Sequence, residues 1–221
     1  MNVLIVGASR GIGLEFVRQY RAEGARVTAT ARDDAGLDRL KALGASALRL
    51  DVADADSAAS LGPQIAGGAF DVAVVNAGVS GTRRGALDAP TLDDFDAVMH
   101  TNVLGPMRVI PLIATALAAG GAIAVLSSRM GSIGSRTSAG SSLYRASKAA
   151  VNSVLKDVAL TLGERARCVA LHPGWVKTDM GGSGADIDVT TSVTGMRRVI
   201  AALEAGATGI YRNYDGEVIP W

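Results

Sequence analysis

The 221-residue chain has a single cysteine, Cys168, which excludes a disulfide framework and points to a reducing compartment. Cys168 sits in an apolar run and reads as a small buried hydrophobe. Aromatic residues make up only 4% of the chain, so nothing suggests a flat site for polycyclic ligands. The formal net charge is +1, too small to mark a surface for nucleic acid or an anionic membrane. No apolar run approaches the ~18 residues that a membrane span needs. The longest weakly polar stretch, 109–125, is interrupted by Pro111 and by Gly120-Gly121. Residues 1–6 carry neither a basic segment nor a cleavage site, so no signal peptide is expected and the protein is expected in the cytoplasm. No metal site is expected.

What is abundant is aliphatic. Hydrophobic residues form 48% of the chain, mostly Ala, Val, Leu and Ile, which suits parallel strands buried between helices. The length fits one α/β domain over residues 1–221. Apolar runs at 2–6, 26–31, 47–50, 70–75, 122–126, 167–171 and 209–214 read as strands. Between them lie helical stretches at 14–23, 37–43, about 54–66, 91–119, 143–162 and 190–204. A break is expected near Gly62-Pro63 and a break or kink at Gly105-Pro106, with Thr91 as an N-cap. Loops are expected over 79–90 (with Arg83 and Arg84) and 129–142, and a polar, Gly-rich lid over 175–188. This alternation argues a doubly wound parallel sheet with helices on both faces.

Several features collect at strand carboxyl ends, where open α/β sheets bind ligands. The first strand runs into Gly7-Ala8-Ser9-Arg10-Gly11-Ile12-Gly13 and then a helix. Glycines there permit a tight turn and close approach of a ligand, and the helix start offers unpaired N–H groups to a pyrophosphate. The spacing GxxxGxG differs from the GxGxxG of dinucleotide folds, and a lone glycine cluster also fits an ordinary turn. Where the second strand ends stands Arg32, and Arg10 adds a second guanidinium; together they suit the extra phosphate of NADP. Asp33 is the counter-argument, since a carboxylate there suits the ribose hydroxyls of NAD, the less favoured cofactor. Asn76-Ala77-Gly78 follows the fourth strand, Ser128 the fifth, and Pro173-Gly174 the sixth. Asn102 falls on an otherwise apolar helix and needs partners for its amide.

Tyr144 and Lys148, four apart at the start of a helix, share one face. A cation beside a phenol favours the phenolate, so the pair could exchange a proton near neutral pH. YxxxK alone is short and also occurs on ordinary helix surfaces; the joint pattern gives it weight.

Together these motifs resemble the short-chain dehydrogenase/reductase family along the whole chain. The glycine turn is similar to TGxxxGIG with Val6 in place of Thr, Val75-Asn76-Ala77-Gly78 to NNAG, and Tyr144 to Lys148 to the family's YxxxK. A closer resemblance, on residues 127–133, 172–182 and the ending DGEVIPW, is to the branch of the C-factor signalling protein and the Sniffer-type carbonyl reductases. The resemblance implies hydride exchange between NADP and a small or medium carbonyl or alcohol. It implies Tyr144 as acid/base, Lys148 lowering its pKa and holding the nicotinamide ribose, and Ser128 donating to the carbonyl oxygen. Asn102 would position a water beside Lys148. It assigns Gly7, Ser9, Arg10, Gly11, Ile12, Gly13, Arg32, Asp51, Val52, Asn76, Ala77 and Gly78 to the cofactor, with Pro173, Gly174, Val176 and Thr178 on its far side. It also suggests a homodimer. The stretch between Ser128 and Tyr144 is longer than usual, which keeps Ser132 as a weaker candidate hydroxyl. Met130, Ile133, Trp175 and Met180 are candidate pocket walls. The alternative function is an NAD(P)-binding signalling or interaction protein; a nucleotide-binding module of another family would need neither Tyr144 nor Lys148.

Overall fold

In the computed structural model, which describes residues 1–82 and 84–221, seven parallel strands form one sheet in the order β3-β2-β1-β4-β5-β6-β7. The strands are β1 Asn2–Val6, β2 Arg26–Ala31, β3 Ser46–Arg49, β4 Phe70–Val75, β5 Leu117–Leu126, β6 Ala166–His172 and β7 Ile210–Asn213. The helices are α1 Gly11–Ala22, α2 Asp34–Ala42, α3 Ala55–Ile65, α4 Leu92–Met99, α5 Gly105–Thr115, α6 Ser142–Leu162 and α7 Val189–Ala201. Arg83 lies outside the described residues.

The central strands are apolar along nearly their whole length because helices cover both faces. One core packs α1, α2 and α7 on the sheet through Phe16, Leu40, Met196 and Ile200. The other packs α3, α5 and α6 through Leu61, Ile110, Ile113 and Leu155. Strand order reverses between β1 and β4, and a crevice at such a reversal is where α/β sheets take ligands.

Two expectations are overturned and a third is met in part. The helix does not break at Gly62-Pro63: α3 runs through Pro63. Before Gly105-Pro106 the α-helix is interrupted without ending, because a π turn, His100–Leu104, joins α4 to α5. Its wider turn accommodates Pro106, which has no N–H to give the Asn102 carbonyl four residues earlier. The helix expected to reach residue 119 stops at Thr115, and β5 begins at Leu117, which pairs with Phe70 before a register shift. Glycines at 120 and 121 mark that irregular part of the strand, where burial is incomplete.

Candidate active site

The glycine turn locks three strand ends together. A Cβ on Gly7, whose φ is +83°, would lie 2.7 Å from the Ala77 backbone, and one on Gly13 would lie 2.3 Å from the Gly7 carbonyl oxygen. Asn76 Nδ2 donates to that same carbonyl. Gly7 N–H donates to Thr30 Oγ1 at 3.0 Å, which ties in β2. The N-terminus of α1 has no side-chain cap and no acid in its first turn. By contrast, Asp33, Asp54, Thr91 and Asp188 cap α2, α3, α4 and α7. The first N–H groups of α1 are thus left to a ligand.

A cavity of about 470 Å³ opens over this turn. Gly7, Ser9, Arg10, Gly11, Ile12, Arg32, Asp51, Val52, Asn76, Ala77, Gly78, Tyr144, Lys148, Pro173 and Thr178 all line it. Gly13 does not; it is the close-packed glycine beneath the turn. The dimensions, the bare helix start and the glycines fit a dinucleotide.

The far end of this cavity decides between the cations and Asp33. Asp33 Oδ1 accepts from Gly36 N at 2.7 Å, so this carboxylate is engaged as the α2 N-cap. Arg32 is exposed on the cavity wall. Two further guanidiniums bracket it. Arg39 Nε donates to the Ser9 carbonyl at 2.9 Å, and Arg49 donates to the Arg32 carbonyl at 2.7 Å while pairing with Asp34. Sequence reasoning missed Arg39 and Arg49, because only the paired strands and the cap of α2 bring them here. Arg10 reaches across the opening to Asp179 at 2.8 Å, with both side chains exposed.

The chemical groups meet at the other end. Lys148 is 5% exposed, and its Nζ donates to the Leu126 carbonyl at 2.9 Å and lies 5.8 Å from the centroid of the Tyr144 ring. Burial pulls its ammonium down to about 8. The expectation of a lowered Tyr144 pKa is not met: burial pushes the phenol up, the nearby Ser128 hydroxyl opposes the rise, and Tyr211 adds to it. Desolvation of the phenolate outweighs the help of neighbours at this site.

Ser128 ends β5 and caps the short 3₁₀ turn Arg129–Gly131, its Oγ accepting from Met130 N at 3.2 Å. A Cβ on Gly131 would fall 2.8 Å from the Lys148 backbone, so this glycine lets the Ser128 turn sit directly on α6. Tyr211, from β7, donates its hydroxyl to the Ser128 carbonyl and stacks on Trp221 with centroids 5.3 Å apart. Asn102 is 1% exposed and lines neither cavity. Its amide pairs both ways with the Val79 backbone, each at 2.8 Å, and donates to Ser147 Oγ at 3.0 Å. The amide thus pins the end of the β4 loop to α6.

A second cavity, of about 550 Å³, shares Ile12, Ser127, Tyr144, Pro173, Thr178 and Met180 with the first. Ser128, Met130, Gly174, Trp175 and Val176 line it as well. Two expectations fail here. Ser132 is fully buried, and its hydroxyl donates to the Pro220 carbonyl and accepts from Ser135 N at 3.1 Å, so it braces the segment 215–221 instead of meeting a ligand. Ile133 is 70% exposed and lines neither cavity. The lid is pinned by Lys177 N to the Ile187 carbonyl at 2.9 Å and by Trp175 Nε1 to the Gly181 carbonyl at 2.9 Å.

The short chain dehydrogenase family model matches residues 1–187. The chain belongs to the short-chain dehydrogenase family. It is 40% identical to the C-signal protein of Myxococcus xanthus over 157 residues, 70% of this chain and 94% of that one. A short-chain dehydrogenase/reductase of Burkholderia multivorans, solved with bound NADP, superposes with a TM-score of 0.92 at 33% identity, covering 100% of this chain and 99% of that one. The carbonyl reductase Sniffer of Drosophila melanogaster does so with a TM-score of 0.89 at 30% identity, with the same coverage of each chain. Short-chain dehydrogenases are oxidoreductases, and in this one the residues of the Ser128, Tyr144 and Lys148 motifs come together at one point.

Proposed function

We propose that the protein is an NADP-dependent carbonyl reductase acting on small or medium aldehydes or ketones. The observation that carries this reading is the position of Tyr144, on the wall common to the dinucleotide-sized cavity and the second cavity, with Lys148 on one side and Ser128 on the other. NADP as cofactor is supported by Arg32 on the cavity wall, with Arg39 bonded to the nearby Ser9 carbonyl, by the engagement of Asp33 as a cap, and by the NADP-bound relative.

When bound, the dinucleotide supplies the hydride. The turn from Gly7 to Ile12 and the bare start of α1 would hold its pyrophosphate, Arg32 its additional phosphate, and Lys148 its nicotinamide-side ribose. Asp51, Val52, Pro173 and Thr178 would border the rest, and Gly174 and Val176, which line the second cavity and not the first, would meet it only from the substrate side. Ser128 donates a hydrogen bond to the carbonyl oxygen as negative charge grows there. Tyr144 gives that oxygen its proton. The phenol is protonated at neutral pH and so has the proton to give in the reductive direction; burial makes it a weaker acid, which the neighbouring hydroxyl and ammonium would have to offset in the transition state. The nearby Lys148 ammonium stabilises the phenolate that remains. Asn102 acts as a positioning residue; its carbonyl, which lacks an N–H from Pro106, would hold the water that connects Lys148 to solvent. The same reading takes residues 1–221 as one nucleotide-binding domain in the cytoplasm, forming a homodimer, which light scattering tests.

NADPH consumption with a panel of aldehydes, ketones and diketones tests the function. Turnover by the wild type that is lost in Tyr144→Phe is expected. A second reading, a binding or signalling role without turnover, is favoured by the C-signal relative. It predicts NADPH binding with no turnover across the panel, and failure to bind either NADPH or NADH contradicts both readings.

A further inference from the structure

The second cavity has an ionic lining of one sign. Arg129, Arg136 and Arg145 line it, and no aspartate or glutamate does. Arg129 is neutralised by Glu217. The other two are not, and they differ in exposure: Arg136 is exposed, so only Arg145 is withdrawn from water. Arg145 is only 9% exposed, yet it meets neutral partners: Nε donates to the Gly140 carbonyl at 2.9 Å and Nη2 to Ser138 Oγ at 3.1 Å. Among the described residues no carboxylate lies within ion-pair distance of Arg145 or Arg136. Elsewhere, Arg18, Arg49, Arg84 and Arg197 have acidic partners, while Arg21, Arg108 and Arg167 bond only to backbone carbonyls but stay partly exposed; among the described residues Arg145 is the one buried arginine.

A guanidinium withdrawn from water without a counter-charge is costly, and proteins tolerate it chiefly where an anion arrives. Ser135 Oγ, on the same wall, is buried without a hydrogen-bond partner. His172, also on the wall, adds no positive charge at neutral pH, since burial lowers its pKa to about 4. Ser135, Arg136 and Arg145 lie on the 135–145 segment, which also carries Tyr144, and line the same cavity as Tyr144 and Ser128.

We propose that the substrate is a carbonyl compound bearing a carboxylate, with Arg136, Arg145 and Ser135 receiving the carboxylate while its carbonyl meets Tyr144 and Ser128. A planar carboxylate matches the guanidinium fork. This rests on the reading of Tyr144 and Ser128 as the carbonyl-reducing end.

The test compares 4-formylbenzoate with its neutral counterpart 4-formylbenzamide under saturating NADPH. Arg136 is the residue to change, because its side chain makes no hydrogen bond to the described residues and its loss does not threaten the fold. The wild type is expected to prefer the carboxylate by about tenfold or more in kcat/KM. Arg136→Gln should bring the ratio down severalfold through KM, Arg136→Lys should restore part of it, and added salt should lower it. A ratio near one, or a ratio unmoved by Arg136→Gln, overturns the proposal. If neither aldehyde is reduced, the reductase reading fails for them, and binding still decides the charge question. Calorimetric titration of 4-(hydroxymethyl)benzoate and 4-(hydroxymethyl)benzamide into the NADPH-saturated protein needs no turnover. Tighter binding of the acid that Arg136→Gln removes supports the carboxylate site, and equal binding of the two overturns it.

Discussion

The two cavities that meet at Tyr144 are built in different ways. The dinucleotide-sized cavity is made of backbone at strand ends: Gly7 and Ala77 in contact, Asn76 holding the Gly7 carbonyl, and a helix start with nothing of its own to cap it. The second cavity is made largely of side chains on the 129–141 segment and the 175–188 lid, the lid tied by backbone bonds between 175–177 and 186–187 and the other segment braced by the stretch that ends at Trp221. A ligand held by backbone amides constrains the protein to small residues at fixed positions. A ligand held by loop side chains leaves the residue types free to vary with the substrate. The cofactor is therefore readable from a glycine pattern, and the substrate only from the charge and shape of the assembled wall.

Exchanging glycines on the two sides gives the largest contrast. Gly13→Ala would force a methyl to 2.3 Å from the Gly7 carbonyl oxygen and 2.8 Å from Ala8 Cα, neither of which can swing away. We expect a loss of about 2–3 kcal/mol in urea unfolding, net of the small gain in helix propensity, and much weaker nucleotide binding. Gly140→Ala, at φ +100° with nothing within 4 Å, should cost about 1 kcal/mol from backbone strain alone and leave NADPH affinity as it is. Equal losses would erase the distinction.

Arg32→Ala sharpens it. Loss of one charged contact to the extra phosphate should weaken NADPH binding by about tenfold or more while NADH affinity stays constant. If both affinities fall alike, or neither moves, the assignment of that end of the cavity is wrong.

His172 gives the second cavity a signature in pH. Its folded pKa is about 4 against the ordinary 6.5, chiefly from burial and secondarily from Arg129, while Asp215 and Glu217 oppose the fall. Between those two values the unfolded chain binds the extra proton, so stability is lost as pH falls from 6.5 towards 4. The contribution is on the order of 1–2 kcal/mol after allowing for partial solvation. Unfolding midpoints at pH 7 and 4.5 should differ less in His172→Gln than in the wild type. An unchanged difference would mean that the imidazole is not desolvated.

Tyr211→Phe has the smallest effect. It keeps the ring against Trp221 but removes the donor to the Ser128 carbonyl, at a cost of about 1 kcal/mol in stability. Looser placement of Ser128 should lower kcat a few-fold with NADPH affinity intact. A change confined to NADPH affinity would move Tyr211 to the other side of the comparison.

Much of this was legible in the chain. Strands β1, β2 and β4 have the bounds their apolar runs suggest, because their buried centres are rich in β-branched and small apolar residues and each is followed directly by a glycine or polar residue, Gly7, Arg32 and Asn76. The glycine turn and the Tyr144–Lys148 spacing are local and fix their own geometry. What escaped depends on tertiary packing. The π turn at 100–104 has no composition of its own, and Gly105-Pro106 looks like a break until the wider turn absorbs it. Asp33 reads as a ribose ligand until α2 is seen to begin at Asp34, three residues before the expected start, with Asp33 as its cap. Ser132 resembles a second catalytic hydroxyl until residues 215–221 are seen folding back to take its hydrogen bond. The raised pKa of Tyr144 follows from how deeply α6 buries it, which no i to i+4 spacing reports.

The account's central claim is that Tyr144 delivers a proton to a carbonyl oxygen while hydride reaches the carbonyl carbon. NADPH carrying deuterium at both C4 positions, incubated with the aldehyde that turns over best, tests this directly by mass spectrometry of the alcohol. The account predicts one deuterium on the carbinol carbon with the wild type, and formation of that product slowed by on the order of 10²–10⁴-fold in Tyr144→Phe. An alcohol without the label, or labelled product formed as fast by Tyr144→Phe as by the wild type, would contradict it.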